Sequence, residues 1–134
     1  MNEQPNPVCV VIRPDGTAAW RTDVSRAERE LGNHGIGRAF LTNGSKLRVS
    51  VSDSSLLLRD VYAPNPYAMA VLANVSGMLR SEAPETRGPV VLYAWDPRNE
   101  WDSTRPFTDD EYGTVADALR VAGCTVEPER DPRM

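Results

Sequence analysis

The chain is short of the residues that most metal and redox chemistry uses. In 134 residues it has one histidine, His34, and two cysteines, Cys9 and Cys124. It contains no Cys-x-x-Cys pair and no His-Glu-x-x-His motif, which excludes a zinc site of ordinary composition. Lysine is almost missing: Lys46 stands alone, and arginine supplies the other cations. Arginine suits forked pairing with carboxylate or phosphate, but no physical rule demands it at most of these positions. The bias reads as the codon usage of a GC-rich genome, that of a high-GC bacterium or one of its phages or plasmids. No apolar run approaches the roughly 20 residues of a membrane span. Residues 1–7 also lack the basic-then-apolar order of a signal peptide. A cytoplasmic protein without membrane contact is expected. Cytosolic thiols are usually reduced and buried, so free cysteines are expected over a disulfide, although Cys9 and Cys124 could be neighbours in a sheet. A basic surface is lacking too. The net charge of -4 and the pI of about 5.0 argue against wholesale binding of nucleic acid.

What is present fits one globular domain. Hydrophobic residues make up 40% and charged residues 25%, near the average for such domains. Residues 1–134 are read as a single unit, with 1–6 and 127–134 as flexible ends. Residues 8–13, Val-Cys-Val-Val-Ile-Arg, form a β-branched apolar run and predict a buried strand. Pro14-Asp15-Gly16 predicts a turn into a returning strand over 17–21. Val24, Ala27 and Leu31 then recur at helical spacing, capped by Asp23 or by a Ser25–Glu28 capping box, with Gly32 as the stop. A strand over 38–42 leads to Asn43-Gly44, a strong hairpin signal. Leu47, Val49 and Val51 alternate with Arg48, Ser50 and Ser52, which predicts one face on the core and one in water. A third strand of this meander is expected over 56–61.

Asn65 and Pro66 open a central helix as N-cap and first helical residue, and the cap is expected to contribute about 1 kcal/mol. Met69, Leu72, Val75 and Leu79 supply its apolar stripe. Residues 89–95 read as a continuous apolar strand near the sheet centre. Thr108 and Glu111 form a capping box for a last helix with Val115, Ala118, Leu119 and Ala122 on its buried face and Gly123 as its stop. The fold class expected is α+β: a mainly antiparallel, twisted sheet of five to seven strands with three helices packed on one face.

Catalytic constellations are hard to find. Asp109, Asp110 and Glu111 are explained by the positive end of a helix. Asp53 and Asp60 flank a short segment but read as turn and edge residues. No serine sits in a Gly-x-Ser-x-Gly elbow. The glycine-rich stretch 32–37 lacks dinucleotide-loop spacing, yet it makes His34, Gly35 and Arg38 candidates for ligand contact. The long polar loop over 96–106 carries Arg98, Trp101 and Arg105. Aromatic and arginine anchors on a loop of this length are typical of partner contacts.

Four short stretches resemble a family known as domain of unknown function 3846. They are Arg13-Pro14-Asp15-Gly16, Asn65-Pro66-Tyr67-Ala68, Arg87-Gly88-Pro89-Val90-Val91 and Phe107-Thr108-Asp109-Asp110-Glu111. The chain departs from that pattern at Gly35-Ile36-Gly37-Arg38. The resemblance implies a phage, plasmid or integrated-element context and brings no activity, cofactor or catalytic residue with it. The reading is a non-enzymatic binding protein that contacts a host protein, for example to inhibit a defence system. A nucleotide-sequestering small-ligand binder and an enzyme centred on His34, Asp53 or Asp60 are the alternatives. No cofactor or metal is expected.

Overall fold

The computed structural model describes residues 6–32, 36–40, 47–52, 58, 60–76, 86–95 and 104–127, with the side chains of 36, 38–40 and 95 set aside. The elements in chain order are β1 (Cys9–Ile12), β2 (Thr17–Arg21), α1 (Val24–Glu28), a 3-10 turn (Arg29–Leu31), β3 (Ile36–Phe40) and β4 (Leu47–Ser52). They continue with α2 (Pro66–Ser76), β5 (Val90–Trp95), β6 (Thr104–Arg105), α3 (Asp109–Ala122) and β7 (Thr125–Val126). The strands make a seven-stranded sheet in the order β3-β4-β5-β1-β2-β7, with β6 beside β5. Every pairing is antiparallel except β2 with β7. Leu47 already occupies one edge of Ala94, so β6, which pairs Arg105 with Ala94, lies in line with the start of β1. The protein is an α+β fold with a mainly antiparallel sheet, and β5 is central as its apolar run predicts.

The helices divide between the two faces, which corrects the expectation that all three share one. Val10, Ile12, Leu47, Val49, Val90, Leu92 and Ala94 point to one side. There they meet Ala68, Val71 and Val75 of α2 and Val115, Ala118 and Leu119 of α3. Cys9, Val11, Val91 and Tyr93 point to the other side and meet Val24, Ala27 and Leu31 of α1 and the 3-10 turn. The cause lies in β1 and β5. Both carry apolar residues at consecutive positions, and a strand apolar on both sides needs cover on both sides.

Local chemistry accounts for the boundaries. Asp23 caps α1, accepting from the Arg26 amide at 3.3 Å, so Asp23 and not Ser25 starts this helix. At α3 the capping box is complete in both directions. Trp20 on β2 stacks on Tyr112 of α3 with ring centroids 4.7 Å apart and meets Phe107 edge-on at 6.0 Å, which fastens α3 to the sheet. Arg13, at the end of β1, pairs with Glu30 at 2.9 Å and Glu127 at 2.5 Å, linking the hairpin to both of its neighbours.

Three more expectations change. Of the strand expected over 56–61, the described part is a turn in which the Val61 and Tyr62 amides both donate to the Leu58 carbonyl. β3 spans Ile36–Phe40, beginning earlier than the expected 38–42. Ser50 and Ser52, assigned to water by their alternation, are 0% and 2% exposed. The polar face of β4 lies under cover. Cys9 and Cys124 are both free thiols and belong to opposite faces of the sheet, which rules out their pairing.

Arg105 shows how the last loop is anchored. Its guanidinium donates through Nη1 and Nη2 to the two Glu111 oxygens at 2.7 and 2.9 Å. This contact, with the Thr108 amide, holds the Glu111 carboxyl below its ordinary value of 4.5, and partial burial opposes the shift. A carboxyl depressed in the folded state adds stability that is complete above its unfolded value and is lost as pH falls through the folded one. Arg105→Ala is therefore expected to cost about 0.5–1 kcal/mol near neutrality, discounted for partial exposure. The gap between variant and parent should close as pH drops below 4.5. Paired melting curves across pH 3–7 check this; a gap that stays constant would contradict it.

Candidate functional site

The covered polar face of β4 leads to a hollow. Leu47 and Val49 face α2 and α3, so Ser50 and Ser52 face the side of α1. On α1, Glu28 follows Val24 by one helical turn and precedes Leu31 by three residues, so it lies on the buried stripe. It is 4% exposed, and its Oε2 accepts from the Ser50 hydroxyl at 2.6 Å. A buried carboxylate requires such hydrogen bonds. Register places Arg48 opposite Tyr93 and Arg38 opposite Ser50 in the strands beside it.

Beyond Glu28 the surface opens into a cavity of about 290 Å³, lined by Thr22, Asp23, Val24, Ser25, Glu28, Tyr93 and Thr104. The N-terminal residues of α1 form one wall, β5 supplies the tyrosine, and β6 supplies the threonine. Among the described residues the lining is polar, with hydroxyl and carboxyl side chains around the tyrosine.

Nucleophilic chemistry needs a hydroxyl or thiol beside a base. The Ser50–Glu28 pair has the right atoms in the wrong place. Ser50 is fully buried, so the bond orders the carboxylate and presents nothing to a substrate. Cys9 lies nearby and is also fully buried. Desolvation pushes its thiol up to about 12, against a partial offset from Arg21, which keeps it protonated and inert. Among the described residues no group of three or more histidine, cysteine or carboxylate side chains could hold a metal ion.

The residues singled out from the sequence fare unevenly. Arg98, Trp101, His34 and Gly35 lie outside the described residues, as does Asp53. Arg38 is in β3, across from Ser50, and its side chain is likewise outside the description. Asp60 sits exposed in a turn. Arg105 is engaged by Glu111, which gives it a structural task. The residues of the hollow were missed. Glu28 looked like a capping partner for Ser25, yet a charged residue on an apolar stripe is itself a signal of a buried polar site.

No family model, curated protein or solved structure matches the chain. The four motifs behind the resemblance to domain of unknown function 3846 have structural roles here. They supply the β1–β2 turn, the α2 cap, the entry to β5 and the α3 capping box.

Proposed function

We propose that this chain is a non-enzymatic binding protein that contacts a protein partner through the α1 face. In a phage or plasmid setting that partner is a host protein, for instance a component of a defence system. The observation that carries the reading is the polar hollow beside Glu28, whose described lining sets hydroxyl and carboxyl side chains around a tyrosine. Its volume of about 290 Å³ is at the lower end of small-molecule sites, which run from roughly 300 to 1,000 Å³. That size suits one side chain of a larger partner.

The test compares the parent with two surface variants. Ser25→Tyr fills the mouth of the hollow from an exposed position, and Thr114→Tyr alters the exposed side of α3. A host protein captured by the parent and by Thr114→Tyr, and lost with Ser25→Tyr at unchanged Tm, supports the reading. Equal capture by all three proteins contradicts the α1 face. Turnover of a metabolite by the purified chain contradicts the non-enzymatic assignment.

A further inference from the structure

We infer that the outer edge of β2 is a strand-acceptor site which β7 fills in the free chain, and that an extended, carboxylate-bearing segment of a protein partner displaces β7 and pairs along Thr17–Arg21. The site lies on the sheet edge, and loss of the α1 reading would leave it untouched.

β7 is lightly held. It has two residues, Thr125 and Val126, both exposed, and it runs parallel to β2. The Thr125 amide donates to the Gly16 carbonyl and the Glu127 amide to the Ala18 carbonyl, both at 2.8 Å. Val126 stays 39% exposed, so pairing removes little apolar surface from water. Short edge elements of this kind open at far lower free energy than the core. Gly123, at φ +84 with open space where a Cβ would stand, separates β7 from α3 and lets the strand leave without disturbing the helix.

β2 offers more edge than β7 covers. It has five residues, and among the described residues β7 pairs with Thr17 and Ala18 alone. The Arg13 amide donates to the Thr17 carbonyl, so Thr17, Ala19 and Arg21 turn their backbone groups to β1, and Ala18 and Trp20 turn theirs outward. The Trp20 carbonyl accepts from the Arg21 side chain at 3.2 Å, where a longer neighbouring strand would supply an amide. Added strands of this type gain their affinity from main-chain hydrogen bonds.

The chemistry of the occupant is read from the segment now in place. Glu127 accepts from Arg13 Nη1 at 2.5 Å, and its other oxygen lies 3.7 Å from Arg21 Nη2. Arg13 is also fixed by Glu30 at 2.9 Å and by the Thr17 hydroxyl at 3.2 Å, so it keeps its place when Glu127 departs. An incoming carboxylate replaces Glu127 between the two guanidiniums, and the exchange needs no uncommitted charge.

The experiment is a nitrogen-15 NMR titration of the full chain with the peptide acetyl-Thr-Val-Glu-Val-Thr-Ser-amide, which repeats Thr125–Glu127 and extends over Ala19–Arg21. The control peptide has glutamine in place of glutamate. Saturable shifts at the amides of residues 16–21 and 124–127 are expected, with 124–127 moving to the positions of an unpaired chain. The control should bind about threefold more weakly, the size of a partly exposed ion pair. Glu127→Gln loosens β7 and raises the fraction of chains with an open edge, so the glutamate peptide should bind this variant about threefold more tightly. No saturable shifts, equal affinity of the two peptides, binding that leaves 124–127 in place, or weaker binding to Glu127→Gln would each overturn the inference. The same shifts produced without peptide, by raising the concentration of the chain, would assign the edge to a second copy and overturn the partner segment.

Discussion

Asn65→Ala is expected to lower the stability of the chain by about 3 kcal/mol, three times the value that a helix cap alone predicts. Asn65 is 0% exposed, and its side-chain oxygen accepts from the Ala68 amide at 3.0 Å, which is the cap. Its Nδ2 does more. It donates to the Ile12 carbonyl at 3.0 Å and to the Gly88 carbonyl at 2.8 Å, and so joins α2 to the end of β1 and to the entry of β5. Losing the cap costs about 1 kcal/mol, and depriving two buried carbonyls of a donor costs about 1 kcal/mol each. In melting temperature that is roughly 10 °C for a domain of this size. Asn65→Asp separates the parts. Its carboxylate still accepts from Ala68 but cannot donate, and it would face two carbonyl oxygens. It should therefore be no more stable than Asn65→Ala at neutral pH. An Asn65→Asp protein that melts with the parent would show that the cap is the whole contribution.

Gly88→Ala is expected to be equally damaging, at about 3 kcal/mol, for a steric reason. Gly88 has φ +76, a region that costs an L residue roughly 1–2 kcal/mol. A Cβ added there would lie 2.5 Å from Cδ1 of Tyr62. The ring cannot swing away cheaply. Tyr62 is 5% exposed, its hydroxyl donates to the Leu31 carbonyl at 2.9 Å, and its own carbonyl accepts from Arg87 Nε at 2.9 Å. Forcing such a group aside adds on the order of 1–3 kcal/mol. Urea unfolding should show a lower midpoint with an unchanged slope. A midpoint equal to the parent's would mean that the Tyr62 ring does not pack over Gly88.

Much of the fold could be read from the sequence, because short-range chemistry set it. The α2 cap, the α3 capping box, the Pro14–Gly16 turn and the apolar run of β5 all depend on residues within a few positions of one another. What escaped depends on distant partners. Ser50 alternates with core residues and so looked solvated; its burial depends on Glu28, which is 22 residues away in sequence. The expectation of one helical face failed where the sequence did hold the signal, since β1 and β5 are apolar at consecutive positions. The turn at residues 60–62 escaped because β-branched and leucine residues around it resemble a strand, while the Leu58 carbonyl accepts two amides locally. The hollow was invisible for the same reason as Ser50: its described lining comes from the start of α1, from β5 and from β6, segments far apart in the sequence.

The claim that the α1 face is the contact surface has a direct test in hydrogen exchange. The chain is measured alone and in complex with the captured partner. Added protection at residues 22–28 and at Thr104 and Arg105, with α2 and α3 unchanged, is the result predicted. Protection centred on α2 and α3, with residues 22–28 exchanging as in the free chain, would contradict it.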